Sequence, residues 1–128
     1  PFDFTEPKLI GKEIEAENEQ LGLGLGYDHC WVLNEGKDNF RLAASAYHEK
    51  TGRFMEVYTK EPAIQFYSGN FLDGTLPARG GGTYVKRSGF CLETQHYPDS
   101  PNQSDFPSVR LNPGEKYTSR TMYKLSTK

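Results

Sequence analysis

Apolar and polar residues alternate along much of the chain in short runs, broken by segments rich in glycine, proline, asparagine and aspartate. Successive side chains of a strand point to opposite faces, so a period of two marks a segment with one face covered. On that criterion strands are predicted at Tyr27 to Leu33, Phe40 to His48, Arg53 to Thr59, Ala63 to Tyr67, Ser88 to Thr94 and Tyr117 to Leu125. Turns are predicted at Asn34 to Asn39 and at Lys50-Thr51-Gly52. The runs Arg41 to Tyr47 and Phe54 to Thr59, with Thr51-Gly52 between them, predict a hairpin. Only Lys12 to Gln20 has helix-friendly composition, and it is acidic with just Ile14 and Ala16 apolar, so an exposed turn or short helix is expected. Residues Asp99 to Pro113 are rich in proline yet include Phe106, Val109 and Leu111, which predicts an ordered loop packed over a sheet.

Eight Tyr, eight Phe and one Trp, with recurrent glycine and proline, fit a sheet protein. No fixed repeat is present, and 128 residues suffice for one domain or a domain fragment, mostly antiparallel β. The net charge of −2 comes from interspersed residues of both signs, which argues against nucleic-acid and membrane-surface partners. Apolar runs fall far short of the roughly 20 residues of a membrane span, and no signal-peptide pattern opens the chain. A cytoplasmic location is the expectation. The start at Pro1, without an initiator Met, suggests processing or an excised piece of something longer.

Cys30 and Cys91 form no metal-ligand spacing. Each sits in an apolar run and is expected to behave as a small buried hydrophobe, although a disulfide between them stays open because sequence does not give Cα separation. The Leu21 to Gly26 glycine run lacks the strand before and helix after that a dinucleotide loop needs, so its glycines are read as a tight turn ahead of Tyr27.

Three polar side chains interrupt apolar strand-like runs. Alternation puts Asp28 on the face of Cys30 and Val32, Gln65 with Ala63 and Tyr67, and Glu93 with Gly89 and Cys91. A carboxylate on a covered strand face is costly unless it is paired or opens onto a cavity. For any one of them a salt bridge or a sheet-edge position is at least as good an explanation. Together, two carboxylates, an amide and neighbouring aromatics make the inventory that binds sugar hydroxyls and stacks on sugar C–H faces. Paired carboxylates also suit glycoside hydrolysis, and the residues alone leave hydrolysis, isomerisation and plain binding open.

Gly26-Tyr27-Asp28-His29, the run from Gln65 to Gly74 and the run from Leu92 to Gln103 resemble, in order, the C-terminal signatures of the aldose 1-epimerases, also called galactose mutarotases. Arg53 to Thr59 and Asn112 to Glu115 fall in the same register, so the resemblance runs from about Gly11 to the end. It implies a large antiparallel β-sandwich, of which this chain would be the C-terminal part. It also implies cofactor-free, metal-free interconversion of the α and β anomers of galactose, glucose and related aldoses. A glutamate takes the anomeric hydroxyl proton while a histidine protonates the ring oxygen.

Glu93 matches the family's base, and Asp28 and Gln65 match its sugar ligands. The acid histidine, a second sugar-binding histidine and an Asn-Arg pair belong in the family to the half that precedes this chain, so that N-terminal half is an expected partner. Of the local histidines, His29 is expected to be structural and His48 solvated, and only His96 could stand in as an acid. A non-catalytic sugar-binding β-sandwich is the alternative function.

Overall fold

The structure, a computed structural model, describes residues 1–35 and 39–128, so the predicted turn at Asn34 to Asn39 lies partly outside the described residues. The strands are β1 Asp28–Val32, β2 Arg41–His48, β3 Arg53–Thr59, β4 Ala63–Tyr67, β5 Cys91–Gln95 and β6 Thr121–Thr127. They form an all-β sandwich of two antiparallel sheets, ordered β1-β4-β5 and β2-β3-β6. One short helix, α1, spans Glu19–Gly24, and 3-10 turns occupy Ile10–Lys12 and Ser100–Asn102. Contacts cluster into two compact units, Pro1–His29 with Phe66–Cys91, and Cys30–Gln65 with Leu92–Lys128.

The first unit is built on aromatic rings. Tyr27, fully buried, stacks on Phe66 with ring centroids 5.4 Å apart, and Phe4 meets both rings edge-on at 5.2 and 5.8 Å. Such edge-to-face and offset contacts match the positive ring edge to the negative ring face and add to the area buried. The helix corrects the sequence expectation: Glu19 to Gly24 is helical, with most of the acidic stretch lying ahead of it. Asn18 caps it, its side-chain oxygen accepting from the backbone N–H groups of Gln20 and Leu21 at 2.9 and 3.3 Å. The predicted tight turn survives only at the helix's end, where Leu25 and Gly26 take positive φ of 53° and 136°.

Asn70 holds that turn. Its amide donates to the carbonyls of Gly24 and Tyr27, both at 2.8 Å, while its oxygen accepts from the Ser68 hydroxyl at 2.7 Å. A Cβ at Gly26 would collide with the Asn70 side chain, so glycine is required there for space as well as for φ.

In the second unit, β2 and β3 form the predicted hairpin, Arg41 opposite Thr59 and His48 opposite Arg53, with a bulge between Leu42 and Ala44. The turn closes at Gly52, φ +66°. Strand β6 pairs with the other edge of β3, Thr59 opposite Thr121 and Arg53 opposite Thr127. The pairs Val57–Tyr123 and Thr59–Thr121 share the inner face, and Val57 and Thr59 are fully buried. On the outer face Glu56 accepts from Lys124 at 2.8 Å. The inner face is not covered along its whole length, because Leu125, on the same side as Tyr123, is 75% exposed.

Four further expectations change. Strand β5 begins at Cys91, not Ser88, and β6 begins at Thr121, not Tyr117. The loop from Asp99 is ordered by Asp99 accepting from Asn102 and Gln103, but Phe106, Val109 and Leu111 are exposed rather than packed over a sheet. The two cysteines are not joined in a disulfide; Cys30 is half-buried, with its thiol pKa raised by burial, whereas Cys91 is exposed and not the buried hydrophobe expected.

Replacing Asn70 with Ala takes from the half-buried Gly24 carbonyl its Asn70 donor and from the buried Tyr27 carbonyl one of its donors, the Ser68 N–H and hydroxyl remaining. The expected loss is about 1–3 kcal/mol, read as a lower urea midpoint at unchanged slope by Trp31 fluorescence; an unchanged midpoint would remove Asn70 from this role.

Candidate functional site

Strand pairing sets where each predicted residue stands. Asp28 opens β1 directly after the Gly26–Tyr27 turn; it is half-buried, and its backbone N–H donates to Nδ1 of His29 at 3.0 Å. The His29 ring packs edge-on against Phe2 with centroids 4.7 Å apart, so it fills space in the aromatic unit. His48 is exposed at the hairpin end, 2.9 Å from the Thr51 hydroxyl. Asp28 belongs to the first unit, Gln65 and Glu93 to the second.

Gln65 lies half-buried in β4 between buried Ile64 and Phe66. Glu93 lies in β5, the neighbouring strand. It was expected on a covered face, but its side of β5 is open at Cys91 and Glu93, which are exposed, and half-buried only at Gln95, while Leu92 and Thr94 on the other side are half-buried. The alternation is the predicted one, and what differs is that among the described residues the Glu93 side is left exposed.

The other side of β5 is tied down by polar contacts. Tyr123 donates its hydroxyl proton to the Leu92 carbonyl at 2.9 Å, and the Thr94 and Thr121 hydroxyls lie 2.6 Å apart. Just past the strand, Nδ1 of His96 stands 2.8 Å from one carboxylate oxygen of Glu61. The other Glu61 oxygen accepts from the hydroxyls of Tyr117 and Ser119.

Glu61 is only 5% exposed, and sequence reading did not single it out. In Lys60-Glu61-Pro62 it looks like part of a solvated turn, and the residues that hold it are 56 and 58 positions away, so no local pattern announces it. Burial works against its charge, but the hydrogen bonds from Ser119 and Tyr117 and the facing His96 outweigh that, leaving the carboxyl below the ordinary glutamate range. Accepting the Tyr117 proton in turn raises the Tyr117 phenol.

Among the described residues no three His, Cys, Asp or Glu side chains gather as metal ligands, and no helix is long and apolar enough to cross a membrane. The chemistry on offer is therefore an open carboxylate and an amide on adjacent strands, backed by the buried Glu61 carboxylate that faces His96.

Comparison with known proteins gives one family. A family model described as aldose 1-epimerase matches residues 1–124, reaching back beyond Gly11. Galactose mutarotase of Rattus norvegicus is 45% identical over 125 residues, 98% of this chain and 35% of that protein. The galactose mutarotase of Homo sapiens is likewise 45% identical over 125 residues. Aldose 1-epimerase of Escherichia coli (strain K12) is 42% identical over 126 residues, 97% of this chain and 36% of that protein. The chain thus spans about a third of the length of these relatives.

Because the folded pKa of Glu61 is below its unfolded value, its stabilisation is complete above the ordinary value of about 4.5 and is lost as pH falls through the lower, folded one. Glu61→Gln is expected to unfold at lower urea concentration near neutral pH and to lose less further stability on acidification than the parent. Parallel midpoint-against-pH curves would contradict the paired, ionised Glu61.

Proposed function

The chain belongs to the aldose 1-epimerase family, and we propose that it supplies the general base and two sugar ligands of a mutarotase completed by a further segment of polypeptide. Glu93 takes the proton from the anomeric hydroxyl of an aldopyranose such as galactose or glucose. As the C1–O1 bond becomes a carbonyl, the bond from C1 to the ring oxygen breaks, and an acid histidine on the completing segment protonates that oxygen. Rotation about C1–C2 and reversal of both transfers close the ring as the other anomer. Atoms and electrons balance within the sugar, so the step calls for no redox cofactor. Asp28 accepts and Gln65 both donates and accepts hydrogen bonds from the sugar hydroxyls, holding the ring for the base.

The observation that carries this reading is the two-sided character of β5: polar contacts fix one side, while the other presents the Glu93 carboxylate uncovered. A base must reach its substrate, and a fixed strand with an open carboxylate meets that need. The bare inner-face Leu125 supports the second half of the proposal, since a sandwich face of this kind is stable when covered and the relatives carry about twice as much further chain. A cytoplasmic setting suits this reading, with no nucleic-acid or membrane partner.

Polarimetry of galactose mutarotation tests it, with this chain alone and with this chain replacing the matching third of the Rattus norvegicus protein. The chain alone is expected to leave the spontaneous rate unchanged, and the completed protein to accelerate it. In the latter, Glu93→Gln should lower turnover about 100- to 10,000-fold with the fold intact. Full activity of that variant would sink the assignment of the base, and saturable galactose binding without acceleration would favour a sugar-binding module.

A further inference from the structure

We propose that Glu61 is a positioning residue: acting through His96, it fixes where β5 places the Glu93 carboxylate relative to the strand that bears Gln65. The proposal rests on the reading of Glu93 as the base.

Glu61 stands two residues ahead of β4, the strand of Gln65, and His96 directly follows β5, the strand of Glu93. Their 2.8 Å contact therefore joins the start of one strand to the end of its neighbour. A second path closes the loop. The Glu61 backbone N–H donates to the Thr59 hydroxyl at 3.0 Å, Thr59 lies 3.2 Å from the Thr121 hydroxyl, and Thr121 lies 2.6 Å from that of Thr94. From Thr94 the chain returns to His96. Glu93 is the residue immediately before this ring, and its side chain points away from it.

Packing alone does not call for such an arrangement. A buried ion pair is seldom worth more than well-packed apolar residues of the same volume, because desolvation offsets most of the attraction. What it supplies is direction: a carboxylate accepting from Tyr117 and Ser119 on one oxygen and facing His96 at 2.8 Å on the other fits one arrangement of three segments, whereas apolar side chains tolerate slippage. For a base that slippage matters, since a misplacement of about 1 Å can cost on the order of 100-fold in rate.

The test uses the completed protein described above. Glu61→Gln and His96→Gln are each expected to lower kcat about ten-fold or more while leaving KM within about two-fold, because the base is displaced but the sugar ligands are not. If Glu61 acts through His96, the double variant is no worse than either single one. Glu56→Gln removes the outer-face ion pair with Lys124 and serves as the control, losing stability but not kcat. Additive losses, or lowered thermal stability with kcat unchanged, would overturn the proposal. Should Glu61→Gln fail to fold, His96→Gln decides: a fall in kcat at constant KM supports positioning, and an unchanged kcat refutes it. A fully active Glu93→Gln would instead refute the base itself, so the two failures are told apart.

Discussion

A carboxylate removed from water must find its partners inside the protein, and Glu61 finds them on two separate stretches of chain: the Tyr117 and Ser119 hydroxyls ahead of β6, which donate to it, and His96 after β5, which faces it, while its own backbone N–H donates to the Thr59 hydroxyl. Much of the second unit follows from that requirement. Tyr117 and Ser119 are held at Glu61 before β6 can begin, which is why pairing with β3 starts at Thr121 opposite Thr59. The same cluster brings Thr121 to Thr94 and so sets β5 over the inner face of the other sheet. Leaving any of these groups unpaired would cost more than its hydrogen bond adds, so the arrangement is enforced as much by penalty as by attraction.

The first unit solves a similar problem with different means. Its rings bury apolar area without fixing direction closely, and direction comes from Asn70, whose amide and oxygen are all engaged around the Gly24–Tyr27 turn. Gly26 and Asn70 belong to two of the segments that carry the family resemblance. They share one structural task, orienting the chain as it enters β1 at Asp28. Part of what makes those motifs recognisable is thus the geometry ahead of Asp28, the proposed sugar ligand.

A strand with one clamped and one open side also explains why this chain's polar chemistry lies at its surface. Among the described residues Glu93 and Cys91 lie exposed on one side of β5, just as Leu125 lies exposed on the inner face of the second sheet. Both are where a longer polypeptide of the same family would be expected to add its share, and the proposed reaction divides in the same way, with the base here and the acid there.

Local periodicity was enough to define β3 and β4 residue for residue and to place the hairpin turn at Gly52, since alternation and turn chemistry act between neighbours. It was enough, too, to set Glu93 on the side of Cys91 and away from Thr94, and the motifs carried the family. Where β5 and β6 begin, that Glu61 is buried, that Cys91 is exposed and that Glu19 to Gly24 forms a helix were decided by the tertiary structure. Each depends on partners tens of residues away or on the area other segments cover. An isolated Lys-Glu-Pro carries no sign of the tyrosine, serine and histidine that will close around it.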